Sequence, residues 1–280
     1  MASSRPDYVF PRDYLDNNRM NLQHAHWIEL FGYLMHPTIS TDDIHMRIAD
    51  VGTGTATWLT DLSSRLPKTV QLEGLDISFS AAPPPQWLPA NVTLRRWDVK
   101  DAVVPAELHG AYDVVHVRNL AFVLRDDDVP GVIERLISLL RPGGYLQWGE
   151  PDVSSFRIET IRRPEAEEPV KTEALARLLA LSQPQDPRLR PTWVPRLAYL
   201  CRTAGLDAVR ADVREAPPHL ALAMHECNLP IHELVARKSG NAAVLQAVED
   251  LMPQVVAETR QGACWAFTRW TVVGQKRHGS

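Results

Sequence analysis

Ile48-Ala49-Asp50-Val51-Gly52-Thr53-Gly54-Thr55-Ala56-Thr57-Trp58-Leu59 is the stretch that decides the fold. Together with Met46 and Arg47, its first residues read as a short buried strand broken by glycine. From Trp58 to Leu66 the pattern becomes helical. A strand that runs through two glycines into a helix suits ligand binding. Glycine lacks Cβ, so backbone can approach a ligand closely, and a helix N-terminus offers unpaired N–H groups. Taken alone, the turn leaves a nucleotide of any kind open. A dinucleotide-binding turn would place a third small glycine before the helix, where Ala56 stands. The carboxylate of Asp50 would repel a pyrophosphate, yet it can accept hydrogen bonds from an ammonium group.

Outward from this turn the alternation continues. Strands are expected at Val70 to Ile77, Val92 to Trp97, Tyr112 to Val117 and Tyr145 to Trp148, with a helix at Val129 to Leu140. This order argues for a parallel sheet covered on both faces. Pro83-Pro84-Pro85 shortens or distorts the connection in which the third helix would begin. Upstream, Met20, Leu22, Trp27, Leu30, Phe31 and Leu34 predict an amphipathic helix from Tyr14 to Met35, ended by His36-Pro37. Downstream, Glu159 to Gln185 reads as charged and then helical, and Trp193 to Ala204 as a helix stopped by Gly205. Strands at Asp207 to Val213 and Ala266 to Val273 are expected to pair as a hairpin around a helical insertion. The expected organisation is one domain. It comprises a helical cap segment at 1–43, a cofactor-binding core at 44–158, a helical insertion and helix at 159–205, and C-terminal antiparallel strands with a helical insertion at 206–280.

Composition narrows the function. A net charge of −4 and the lack of any Lys/Arg run argue against nucleic acid as a substrate. Cys201, Cys227 and Cys264 are far apart with no CxxC spacing, so neither a disulfide framework nor a metal site is expected; each reads as a buried small hydrophobe. No apolar run reaches the roughly 20 residues of a membrane span, and the N-terminal residues lack the apolar stretch of a signal peptide, so the cytoplasm is the expected compartment.

Acidic residues mark the ends of successive strands: Asp50, then Asp76 in Leu72-Glu73-Gly74-Leu75-Asp76-Ile77, then Asp98 in Arg96-Trp97-Asp98-Val99. Asp76 at a strand tip can accept two ribose hydroxyl hydrogens, whereas Glu73 reads as a solvated strand residue. These pieces, with Tyr112-Asp113-Val114-Val115-His116-Val117-Arg118 and Leu140-Arg141-Pro142-Gly143-Gly144-Tyr145-Leu146, resemble the class I S-adenosylmethionine-dependent methyltransferases over Ile48 to Glu150. In that family a helix ending in the Leu-x-Pro-Gly-Gly pattern introduces the fifth strand, with Pro-Gly-Gly as the turn that stops the helix. The resemblance implies an α/β, Rossmann-like fold: a mostly parallel seven-stranded sheet with helices on both faces and a helical cap. A narrower likeness, to small fungal natural-product methyltransferases, rests on Arg12-Asp13-Tyr14, Arg19-Met20-Asn21-Leu22-Gln23-His24, Leu30-Phe31-Gly32-Tyr33 and Gly144 to Glu150. It implies a small-molecule acceptor methylated at oxygen, nitrogen or sulfur.

On this reading S-adenosylmethionine is held by Asp50, Gly52, Thr53 and Gly54 in the turn, by Asp76 and Ile77 at the ribose, and by Asp98 and Val99 at the adenine. Tyr14, Arg19, Arg118 and Asn119 are expected to complete that pocket, with Arg19 pairing the methionine carboxylate. His24, His116 and Glu150 are the candidate bases; a core role for His116 and a solvated-loop role for Glu150 stay open. His219, His225 and His232 are further candidates for the acceptor pocket. In-line methyl transfer requires no metal, and none is expected. Two other readings stand beside a methyltransferase: an enzyme of this fold using the bound cofactor for a cyclisation or dehydration, and a non-catalytic binding protein.

Overall fold

The computed structural model describes residues 12–162, 164–165, 168–181 and 190–279. The start of the expected cap segment, at 1–11, and the end of the helical stretch expected to reach Gln185 lie outside the described residues. The alternation is borne out by strands β1 (Arg47–Val51), β2 (Gln71–Asp76), β3 (Val92–Arg96), β4 (Tyr112–Arg118) and β5 (Leu140–Pro151), with helices α2 (Thr57–Arg65) and α3 (Val129–Leu139). Ile48, Ala49, Val51, Val115 and Val117 are at most 2% exposed, because β1 and β4 are covered on both faces. Between β2 and β3 the Pro-rich stretch forms only a short 3-10 turn, Pro85–Trp87, as its prolines require.

The later elements are β6 (Arg157–Thr160), α4 (Glu173–Leu181), α5 (Leu197–Thr203), β7 (Leu206–Arg214), α6 (Pro218–Ser239), α7 (Ala242–Gln261), β8 (Ala263–Ala266) and β9 (Arg269–Lys276). The main sheet has seven strands in the order β3-β2-β1-β4-β5-β9-β7. Its first five are parallel, and β9 inserts antiparallel between β5 and β7. The expected terminal hairpin is thus present, but its last strand lies three residues further on than the sequence pattern placed it. Ala263–Ala266 instead pairs with β6 in a separate two-stranded sheet that the sequence reading did not contain. Glu258 of α7 caps α4 by accepting from the N–H groups of Ala174 and Leu175, each at 2.9 Å.

Two further expectations are corrected. The N-terminal helix α1 (Tyr14–Phe31) stops at Gly32, which takes φ +79° and donates its N–H to Ile28, well before His36-Pro37. Nor does Pro142-Gly143-Gly144 stop a helix: α3 ends at Leu139, and the motif forms an excursion inside β5. There Tyr112 pairs with Leu140 and Val114 with Tyr145, so the residues between bulge out of the ladder. A Cβ on Gly144 would lie 3.0 Å from the carbonyl oxygens of Arg141 and Asp113, which explains the glycine.

Hydrophobic packing follows the layers. Leu136, Leu139, Val115, Trp148 and Trp193 belong to the core on one side of the sheet, and Ile48, Trp58, Leu59 and Leu72 to a second cluster. Leu175, Leu178, Leu251 and Val255 form a third between α4 and α7, so that insertion carries its own small core. All three cysteines are free and buried, as expected.

Candidate functional site

β1 has β2 on one side and β4 on the other, so successive connections leave the sheet in opposite directions and open a crevice at the strands' C-terminal ends. A cleft of about 1370 Å³, continuous with solvent, occupies that position. Its walls are the β1–α2 turn, the tips of β2 and β4, the segment after β3, and one side of α1.

The turn is built for close approach. Gly52 has φ +72° and Gly54 φ +54°, conformations that favour glycine. A Cβ on Gly52 would stand 3.0 Å from Leu120, whereas beside Gly54 there is room. Gly54 donates its N–H to Asp76 at 3.0 Å, and Ser78 donates to the other oxygen of the same carboxylate at 3.1 Å. Burial pushes the Asp76 carboxyl up, and these two N–H donors hold it down. The strand-tip aspartate is thereby fixed against the turn with lone pairs left for hydroxyl donors. Asp98, Val99 and the buried Trp97 line the next part of the cleft.

Asp50 holds a network beneath the turn. It accepts from Thr53 Oγ1 at 2.8 Å and from His116 Nδ1 at 2.7 Å. The His116 ring is stacked on Trp58 at 3.8 Å, nearly parallel. Burial lowers the His116 pKa although Asp50 opposes it, so the ring is a neutral donor toward the carboxylate. The sequence had no signal for this stack, since Trp58 reads equally well as a core residue of α2.

Toward α1, Arg118 lines the cleft and donates from Nη2 to His24 Nδ1 at 2.9 Å. That bond requires the proton of His24 on Nε2, which donates to Asp61 at 3.1 Å. Burial pulls the His24 pKa to about 4 and the Arg118 guanidinium to about 10. Arg19 also lines the cleft but is ion-paired at 2.6 Å with the fully buried Asp16. Asn119, at φ +62°, donates to Gln23 of α1 at 3.1 Å.

Several expected site residues are elsewhere. His24 is absent from the cleft walls because it is wedged behind Arg118. Tyr14 is 73% exposed on the first turn of α1 and does not line the cleft. Glu150 is fully buried and turned to protein donors: Leu120 N at 2.7 Å, Ala121 N at 3.0 Å and Trp148 Nε1 at 2.6 Å. Burial raises its carboxyl to about 8, against three donors that favour the ionised form. It clamps the exit of β4. Glu73 is not solvated; its carboxylate accepts from Tyr112 Oη at 2.6 Å and Arg95 Nε at 2.7 Å. His225 is bonded to Thr259 and packs edge-on against Trp265, with His232 beside the same ring, and neither lines the cleft. His219 is an exposed residue. In contrast Asp50, Gly52, Thr53, Gly54, Asp76, Ile77, Asp98, Val99, Arg19, Arg118, Asn119 and His116 all meet at the cleft. Sequence reasoning missed Phe122, Val123 and, from the distant α6, Ile231; an apolar residue carries no mark that distinguishes a cleft wall from core.

The donor set fits S-adenosylmethionine. The cleft walls carry the carboxylates of Asp50 and Asp76, and the buried Asn119 Oδ1 and Trp97 Nε1 there lack a partner among the described residues. A family model described as a methyltransferase domain matches residues 23–211. The chain is similar to the N-methyltransferase tcpN of Claviceps purpurea (strain 20.1), at 29% identity over 95% of this chain and 96% of that one. It is 40% identical to methyltransferase grgD of Penicillium sp, over 56% of this chain and 57% of the relative. Among solved structures, the 4+2 cyclase SpnF superimposes with a TM-score of 0.51 at 13% identity, covering 94% of this chain and 96% of its own. Phosphoethanolamine N-methyltransferase 2 of Haemonchus contortus, in complex with S-adenosylmethionine, gives a TM-score of 0.50 at 12% identity, over 97% of this chain and 54% of that one. These two likenesses concern the fold.

Proposed function

The chain belongs to the methyltransferase-domain family and is an S-adenosylmethionine-dependent methyltransferase, and from that premise we propose that it methylates a nitrogen of a small natural-product acceptor in fungal secondary metabolism. The observation that carries the nitrogen assignment is the nearly end-to-end similarity to an N-methyltransferase. A small acceptor suits a cleft roofed by α1 and by Ile231 of α6, and the net charge of −4 offers nothing to a phosphate backbone.

Bound S-adenosylmethionine supplies an electrophilic methyl group on a sulfonium. Asp76 binds the ribose hydroxyls, Asp98 and Val99 the adenine edge, and Asp50 with Asn119 the ammonium. Alignment and exclusion of water do most of the work in such a displacement. Of the candidate bases only His116 borders the cleft, and it takes the role of proton acceptor, with Asp50 fixing its ring and tautomer.

The test is a transfer assay with methyl-labelled S-adenosylmethionine against small amines, amides, phenols and thiols. Label in an N-methyl product, with S-adenosylhomocysteine released in equal amount, is the expected result. Label only in O- or S-methyl products would overturn the nitrogen assignment, and product formed without S-adenosylhomocysteine would overturn methyl transfer to this acceptor class.

A further inference from the structure

Arg12, Arg19, Lys100 and Arg118 all border the cleft; Arg12 acts electrostatically on Asp76, and the two on α1 and β4, Arg19 and Arg118, have different surroundings. Arg19 already has its counter-charge, since both Nε and Nη2 bond Asp16, at 2.8 and 2.6 Å, and Asp16 is fully buried. Arg118 has none: among the described residues no carboxylate lies within ion-pairing distance of it, and Asp50 and Glu150 act on it only from further away. Its neighbours are neutral, namely the Nδ1 acceptor of His24 and the face of Trp27, 5.8 Å from the guanidinium carbon. A partly buried guanidinium that faces a ligand cleft without a protein anion is suited to a ligand that supplies one.

The arrangement behind it is a chain. Asp61 on α2 accepts from His24 Nε2, which forces Nδ1 to be the acceptor that receives Arg118. Asp61 is itself held by Arg65, at 2.8 Å. Three elements, α2, α1 and β4, are thus spent on the orientation of one guanidinium. We infer that Arg118 is the carboxylate anchor of the cleft, and that Asp61 and His24 are positioning residues that aim it. This moves the carboxylate assignment from Arg19 to Arg118. The carboxylate has two available sources, the methionine part of the cofactor and an acid group on the acceptor.

Calorimetric titration of the full chain separates them. The first arm uses S-adenosylhomocysteine and its decarboxylated analogue, which keeps the amine. The second uses protein saturated with S-adenosylhomocysteine and titrated with phenylacetate and phenylacetamide. If the cofactor supplies the carboxylate, Arg118→Gln weakens S-adenosylhomocysteine by about ten-fold or more and leaves the analogue unchanged. If the acceptor supplies it, S-adenosylhomocysteine is unchanged and the preference for phenylacetate over phenylacetamide disappears. The analogue also reports an intact pocket, so misfolding is not mistaken for loss of the anchor, and Arg118→Lys should keep part of the discrimination. Wild-type discrimination in both arms for Arg118→Gln overturns the anchor. Asp61→Ala and His24→Phe should each lower the same discrimination part-way; a parallel loss for the acid and its neutral analogue would overturn the positioning role.

Discussion

Glu150 separates a structural from a chemical reading most sharply. Its carboxylate sits on β5 and reaches the backbone where the chain leaves β4, accepting from Leu120 N, Ala121 N and Trp148 Nε1. Glu150→Ala leaves three buried donors without acceptors, each costing roughly 1–3 kcal/mol, so with partial relaxation the loss should be about 4 kcal/mol. Glu150→Gln keeps the shape and one good acceptor, which serves Leu120 and Trp148, but turns an amide N–H₂ toward the Ala121 N–H. It should lose about 2–3 kcal/mol. Both substitutions also free Asn119, held at φ +62° one residue before the clamped pair, so cofactor affinity should fall together with stability. The assays are urea unfolding midpoints and calorimetric binding of S-adenosylhomocysteine. Native midpoints and native affinity in Glu150→Gln would refute the clamp and return Glu150 to the list of proton-transfer residues.

Asp76→Ala removes the ribose acceptor and frees the Gly54 N–H, so S-adenosylhomocysteine affinity should drop by about ten- to hundred-fold by calorimetry; unchanged binding would count against the ribose assignment. Gly52→Ala combines φ +72° with a Cβ 3.0 Å from Leu120, and should lower the unfolding free energy by about 1–3 kcal/mol while weakening the cofactor, readable in one titration series. His24, His225 and His232 are depressed by burial to about 4 from an ordinary value near 6.5. The unfolded chain therefore takes up protons below pH 6.5 that the folded chain refuses until about 4, and stability is lost as pH falls through that window, by about 2 kcal/mol per histidine between pH 7 and 5. Equal urea midpoints at those two pH values would contradict the buried, neutral state of these rings.

What was legible in the sequence was what is local. The β1 turn, the acidic residue at each strand tip and the alternation of strands and helices depend on neighbours in the chain, and Asp50, Gly52, Gly54, Asp76 and Asp98 all reach the cleft. Pro142-Gly143-Gly144 was misjudged because a helix stop and a bulge use the same residues; only the pairing of β5 with β4 distinguishes them. Glu150 and His24 looked reactive because acids and histidines near a site carry that chemistry. Apart from Trp148, two residues before Glu150, their hydrogen-bond partners lie 29 and 30 positions away for Glu150 and 37 and 94 for His24, beyond the reach of any spacing rule. Glu73 failed for the same reason, its partner Tyr112 lying on another strand.

The N-terminal helix shows why the cap is harder to read than the core. Of the six buried residues of α1, four are polar: Asp16, Arg19, His24 and His26. A helix that buried itself for packing alone would turn an apolar stripe inward, and Trp27 and Phe31 supply that only at its C-terminal end. Its middle is instead joined to the body of the protein by polar contacts beside the cleft: His24 to Arg118 and Asp61, and Gln23 to Asn119. Such contacts contribute little net stability until the groups they orient also bind something. A ligand that meets Arg118 and Asn119 therefore strengthens the seat of α1, and by linkage a well-seated α1 tightens the ligand. The polar inner face that obscured the helix in the sequence is the same feature that makes it a wall of the cofactor site.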